Sequence, residues 1–570
     1  MRASRKAVVV SAIAAIAIGI PVAAGSAHSS PADSGSHRVS HVLLISVDGL
    51  HQSDLAWYAR TNPGSALAKL VGGGREYSHA MTPVPSDSFP GMVGQVTGGN
   101  PGTSGVYYDA EYNHNLLPAG TASCTAQRTG AEVNYFEVIA RNPLSLDSGQ
   151  ALSGLPGSIL QLTGMPRSLI DPKTLPVDRG SCHVVFPHQY LKVNTIFEVI
   201  RSHRMRTAWS DKHIAYEILN GPSGMGIQDL FAPEINSAAL LPTGEPFPNM
   251  GDWTKDNMAT MQYDNYKVEA VLNWIDGYNH SRTEKVGVPA ILGMNFQTVS
   301  TAEKLPVSDG LNGGYLPGTT TPGPLLTRAL GFINREVERM VVEIDKHGLA
   351  RSTAIIISAK HGQSPQDPLA LTRLNDGTII DRLNDAWHKA HPSLGRLTAA
   401  DPGNTAAGSR DDAFPLWLNY RTPEAFKFVR DFLWNHSVTG NTYNVHNALE
   451  AGPPRTLEHS GLAQLFVGEA AARYFGTSVS DPRHPDVWGV VQHGVVYTGH
   501  LAKIAEHGGA GFEDRNVPIL VYAPGVVASS SVADQVETIQ IAPTILQLLG
   551  LNPHDLMAVQ IAGTKVLPGA

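Results

Sequence analysis

Residues 324–365 read PLLTRALGFINREVERMVVEIDKHGLARSTAIIISAKHGQSP. The stretch opens with a helical period, in which Leu326, Leu330, Ile333, Val337, Val341 and Ile344 share one face and Gly348 ends the run. Residues 353–359 then form a β-branched apolar run that breaks into a polar, Gly-containing loop. A helix feeding a continuously apolar strand is the repeating unit of a parallel sheet covered on both faces. In such sheets the chemistry lies beyond the carboxyl ends of the strands. That places Lys360 and His361 at a candidate site.

The same rhythm recurs along the chain. HVLLISVDG, 41–49, is a strand running into Asp48 and Gly49. Residues 194–205 form a helix with Asn194 as its N-cap, and 206–213 a strand and its exit. Residues 288–296 and 517–525 are further buried strands, and 541–551 is a last helix with Pro543 in its first turn. Strands alternating with helices specify an α/β fold, a doubly wound, mainly parallel sheet with helices on both faces. Residues 109–190 and 365–480 are rich in Gly, Pro, Asp and Asn and are expected to be loop-rich insertions. The expected layout is a single domain over 28–570.

Residues 1–27 carry Arg2, Arg5 and Lys6, then an uncharged Ala/Ile/Val stretch, then small residues at Gly25 and Ala27. This is the pattern of a cleaved secretory signal, so the mature chain is expected to be secreted and without a membrane span. Cys124 and Cys182 are the two cysteines of the chain. In an exported protein they are expected to pair, and closing so long a loop stabilises by about 4 kcal/mol on chain-entropy grounds. The net charge of −8 is mild for 570 residues and no basic stripe is present, which argues against nucleic acid as a partner.

Polar residues gather at the expected strand ends. Ser88, in PSDSFPGM, stands two residues before Pro90 and can sit at a helix N-terminus, either as an N-cap or as a nucleophile beside orphan N–H groups. Ser86 lies in the same turn. Asp211 and His213, with Lys212 between them, lie in SDKH at another strand exit. His507 lies in a Gly-rich loop before a strand, and His493 and His500 lie upstream of it.

In order and spacing, LLISVDGL, PSDSFPGM, IIISAKHG and EHGGAGFEDRNVPILVYAPG resemble the alkaline phosphatase superfamily, in particular its type I phosphodiesterase/nucleotide pyrophosphatase branch. The resemblance implies a hydrolase of phosphoric esters acting on a small-molecule substrate. It implies a Ser or Thr nucleophile that forms a covalent phospho-enzyme, and divalent metals, usually zinc, at the strand ends. Carried over by residue, Ser88 matches the nucleophile, and Asp48, His361 and His507 match metal ligands.

Three departures from the pattern follow. Lys360 replaces the Asp of the family's Asp-His pair. Asn295 and Val299 stand where a metal-binding Asp and His are expected, and Gly91 stands where related enzymes often carry Asn. One bound ion is therefore expected rather than two, with Lys360 facing the phosphoryl group as a catalytic and substrate-binding cation and Asn295 binding substrate. Two alternatives remain open. One is a sulfatase-like hydrolase, although Met92 stands where that motif needs Arg. The other is a non-catalytic exported binding protein.

Overall fold

The computed structural model describes residues 38–125, 129–247, 251–401, 404, 406–408 and 410–570; the expected signal segment lies outside the described residues. A single sheet organises the chain. Its strands are β1 (His41–Val47), β2 (Arg75–Met81), β3 (Ala208–Ser210), β4 (Asp229–Phe231), β5 (Ile291–Phe296), β6 (Thr353–Ser358), β7 (Asn516–Tyr522) and β8 (Ser530–Val532). They lie in the order β8-β2-β7-β6-β1-β5-β3-β4, and the two-residue strand Val536–Glu537 also pairs with β2.

From β6 through β4 the pairing is parallel. β5 and β6 are buried along their whole length and β1 from its second residue, as their unbroken apolar runs require. Among the helices are α1 (Ser88–Thr97), α2 (Asn257–Ile275), α3 (Pro324–Lys346) and α4 (Ile541–Leu548). Helix α3 buries Leu326, Leu330, Ile333, Val337 and Ile344 as its period predicts, with Val341 half-buried at the margin. The mainly parallel, helix-covered sheet agrees with the fold class read from the sequence.

β7 departs from the parallel rule, because it runs antiparallel to both β6 and β2. This reversal matters for function. It brings the start of β7 beside the end of β6, so the loop holding His507 arrives at the same sheet edge as Asp48, Asp211, Asn295 and Lys360. β2 runs with β6, and its end leads into α1 at that edge.

Two local expectations are corrected. The helix near 196 is capped by Thr195, whose hydroxyl accepts from Glu198 N, rather than by Asn194. Asn194 instead binds the 555–557 segment through its amide. The stretch 365–480 is not mainly loop. Residues 372–497 supply helices, two small sheets and a second apolar cluster that includes Leu374, Leu383, Trp387, Phe414, Val429 and Leu433. Its abundant Gly and Pro sit at the turns between short elements. Residues 109–190 contain short strand pairs and 3₁₀ turns. Cys124 and Cys182 are bonded to each other, closing a 58-residue span. Among the described residues no helix is long and apolar enough to cross a membrane.

Candidate active site

Ser88 is the first residue of α1, and its neighbour Asp87 is the cap: the Asp87 carboxylate accepts from Phe89 N at 3.3 Å. Capping by Asp87 leaves the Ser88 hydroxyl available for other contacts. Lys212 Nζ donates to Ser88 Oγ at 2.8 Å, and His361 Nε2 lies 3.3 Å from the same oxygen. His361 Nδ1 lies 2.9 Å from Gly362 O. A carbonyl can only accept, so Nδ1 carries a proton, and Nε2 is the ring nitrogen that faces Ser88. Ser86, the alternative in the same turn, donates to the Asp514 carbonyl at 2.5 Å and contacts Thr82. That hydroxyl is a structural tie.

Asp48, one residue past β1, is enclosed by donors. Asn295 Nδ2 reaches its Oδ1 at 2.6 Å, while Gln297 Nε2 at 2.6 Å and Lys212 Nζ at 3.2 Å reach Oδ2. His361 Nε2 stands 3.7 Å away. Burial raises the Asp48 pKa, but Lys360, Lys212 and His361 together hold it well below the usual carboxylate range. Burial works against the Lys212 charge, yet Asp48, Asp211 and Asp87 keep its pKa above the ordinary lysine value. Lys212 is therefore an ammonium at neutral pH.

Lys360 is placed differently from the sequence expectation. It is fully buried, and its ammonium donates to Asp211 Oδ1 at 2.7 Å and to Tyr216 OH at 2.8 Å. It also lies over the Tyr216 ring, 4.0 Å from the centroid. A buried ammonium needs a counter-charge, and the end of β3 supplies one. Burial lowers the Lys360 pKa to about 8, opposed by Asp211 and Asp48. The cation that touches Ser88 is Lys212.

Asn295 is likewise fully buried. Its amide holds Asp48 and accepts from Gln297, as a buried carboxylate requires. Val299 is buried in the apolar core.

His507 Nδ1 lies 3.0 Å from Asp87 Oδ1, and its ring lies against His361, tilted by 35° with centroids 3.9 Å apart. Burial and His361 hold its pKa well below the usual histidine value. Asp48, His361 and His507 are thus brought together at one edge of the sheet. His213 is bonded to Glu234 at 2.6 Å and lines the cavity described below. His493 is exposed and paired with Glu513, and His500 is exposed.

A cavity of about 420 Å³ opens above this cluster. Lys212, His213, Gln297 and His507 line it beside Lys304 and Glu506. Two groups of possible cation ligands border it, Asp411–Glu506–His507 and Glu137–His213–Glu234, each with donor atoms within 4.8 Å of one another. Glu506 is already paired with Lys304 at 2.8 Å and with Lys503.

Gly91 has a steric explanation. A Cβ there would lie 2.1 Å from the Lys360 carbonyl oxygen, so α1 packs directly on the backbone that carries Lys360 and His361. Gly91→Ala should destabilise by about 1–3 kcal/mol, read as a lower urea midpoint with unchanged slope. An unchanged midpoint would show that this contact has slack.

Residues 42–122 match the family model for type I phosphodiesterase / nucleotide pyrophosphatase. Across the chain, the architecture superposes on the alkaline phosphatase PafA with a TM-score of 0.54 at 11% identity, covering 90% of this chain and 96% of that one. The fold is that of the alkaline phosphatases. Murine ectonucleotide pyrophosphatase / phosphodiesterase 5 matches with a TM-score of 0.51 at 10% identity over 90% of this chain and 96% of its own. An inactive variant of that murine protein, solved in complex with AMP, matches to the same extent. No curated protein sequence matches the chain.

Alkaline phosphatase superfamily members use divalent metals, and groups of possible metal ligands exist in this chain. The residues around Ser88 do not fit a two-ion centre. Lys212 Nζ fills the space between Asp48 and Ser88. Ammonium, amide and apolar side chains stand at Lys360, Asn295 and Val299, where such a centre needs carboxylate and imidazole.

Sequence reasoning names Lys212 only as the residue between Asp211 and His213 and does not single out Tyr216 or Gln297. One signal is present in the sequence: Asn295 and Gln297 are two apart at a strand exit, the spacing that puts side chains on one face.

Proposed function

We propose that the protein is an exported hydrolase of phosphoric esters, with Ser88 as nucleophile and a covalent phosphoserine intermediate. The observation that carries this reading is the Ser88 hydroxyl at the start of α1, with Lys212 Nζ at 2.8 Å and His361 Nε2 at 3.3 Å. In the first step Ser88 Oγ attacks phosphorus and its proton passes to His361 Nε2. The P–O bond to the leaving group breaks in line, and the leaving oxygen takes a proton from solvent in the cavity. In the second step water attacks phosphorus from the side the leaving group vacated and releases a proton to solvent. The P–Oγ bond breaks and His361 returns its proton to Ser88. Lys212 offsets the charge that develops on Oγ and on the phosphoryl oxygens.

Export is supported by the signal-like residues 1–27 and by the Cys124–Cys182 bond, since disulfides persist in oxidising compartments. The AMP complex of the murine relative makes a nucleotide phosphoester a natural first substrate. A panel of chromogenic phosphomonoester, phosphodiester and sulfate substrates tests the reaction class. Turnover of a phosphoric ester is expected. Turnover of the sulfate ester alone would overturn the reading in favour of a sulfatase.

A further inference from the structure

We propose that Lys212 takes the place of the divalent cation that would bridge Asp48 and Ser88, that Lys360 fills the neighbouring cation position, and that phosphoryl transfer here needs no divalent metal. This rests on the reading of Ser88 as nucleophile.

Position supplies the first argument. A cation serving this nucleophile must contact both Ser88 Oγ and a carboxylate oxygen of Asp48. Lys212 Nζ does both, at 2.8 and 3.2 Å, and also lies 3.4 Å from Gln297 Oε1. Zinc binds oxygen at about 2.0–2.2 Å, so an ion with those two ligands would overlap the ammonium.

The donor set supplies the second. Asp48 Oδ1 is taken by Asn295, and Oδ2 by Gln297 and Lys212. His361 Nε2 lies 3.3 Å from Ser88 Oγ, whereas His507 Nδ1, 3.0 Å from Asp87 Oδ1, makes no hydrogen bond. The carboxylate at Asp211, one residue from Lys212, is engaged by Lys360 and by the Trp209 indole N–H at 2.9 Å. A divalent ion entering here would have to displace two ammonium groups, each already paired with a carboxylate.

Chemistry supplies the third. A lysine ammonium is a compact charge with three donors, suited to an alkoxide and to phosphoryl oxygens. It has no open coordination position and does not acidify water as zinc does. Water activation in the second step therefore falls to groups other than a metal. This fits a site in which His361 holds the proton between the two steps.

The test uses the full mature chain, purified, dialysed against a chelator and then against metal-free buffer. Elemental analysis is run on wild type and on Asp48→Asn. In parallel, phosphate incorporation at Ser88 from a chromogenic phosphodiester is measured by acid quench, with chelator or with added zinc chloride. The expected result is no Asp48-dependent metal equivalent, together with Ser88 labelling that changes less than about twofold between chelator and zinc. Metal retained equally by wild type and Asp48→Asn belongs to another ligand group and leaves the inference standing. One or more equivalents present in wild type and lost in Asp48→Asn would overturn it, as would labelling that needs zinc. Protein that never labels Ser88 under either condition would remove the hydrolase reading. The metal comparison would still decide whether the lysines occupy the cation positions.

Discussion

Ser88→Ala should abolish turnover, lowering kcat/KM by about 10³-fold or more, while leaving the fold intact. The two effects separate because of where Ser88 sits. The helix cap is supplied by Asp87, so the substitution removes one hydroxyl without uncapping α1. The buried partners of that hydroxyl, Lys212 and His361, keep Asp48 and Gly362 as contacts. The stability cost should be about 1 kcal/mol, that of one net hydrogen bond. Steady-state kinetics and a urea melt on the same preparation read both quantities. Activity within tenfold of wild type would remove Ser88 from the mechanism.

Lys212→Met should be nearly as damaging. The substitution keeps the length and apolar stem of the side chain but removes the charge beside Oγ. Loss of a single preorganised donor of this kind costs about 10²–10³ in kcat. Asp48 would still be held by Asn295 and Gln297, so the protein should fold, with about 1–3 kcal/mol lost from the buried carboxylate. Lys212→Arg should rescue little, because a planar fork cannot reproduce a point charge set 2.8 Å from one oxygen and 3.2 Å from another. A Lys212→Met enzyme with unchanged kcat and raised KM would assign the residue to ground-state binding of the phosphate instead.

The sequence carries much of this account. The apolar runs at 41–47 and 353–358 and the amphipathic helix before the second of them specify the central sheet, because burial on both faces writes itself into unbroken hydrophobic stretches. Ser88, Asp48, His361 and His507 are legible as strand-end and loop polar residues, and they meet at one edge. What is not legible is which partners they meet. The His507 loop reaches that edge because β7 runs antiparallel, and an apolar run such as VPILVY has no direction written in it.

Lys360 and Lys212 show the same limit. Both stand at strand ends and both are cations. Only the three-dimensional arrangement shows that Asp211 draws Lys360 away from Ser88 while Lys212 reaches it. The apolar cluster within 374–497 is hidden in the sequence because its elements are short and separated by turn residues that dominate the local composition.

The claim on which everything rests is that phosphate is carried on Ser88. Quenching the enzyme in acid during turnover of a chromogenic phosphodiester, followed by peptide mass spectrometry, tests it directly. The account predicts a phosphate on the peptide containing residues 86–92, located at Ser88 and absent from Ser88→Ala. Phosphate on Ser86 or on a histidine, or sustained turnover with no phosphopeptide at any quench time, would contradict it.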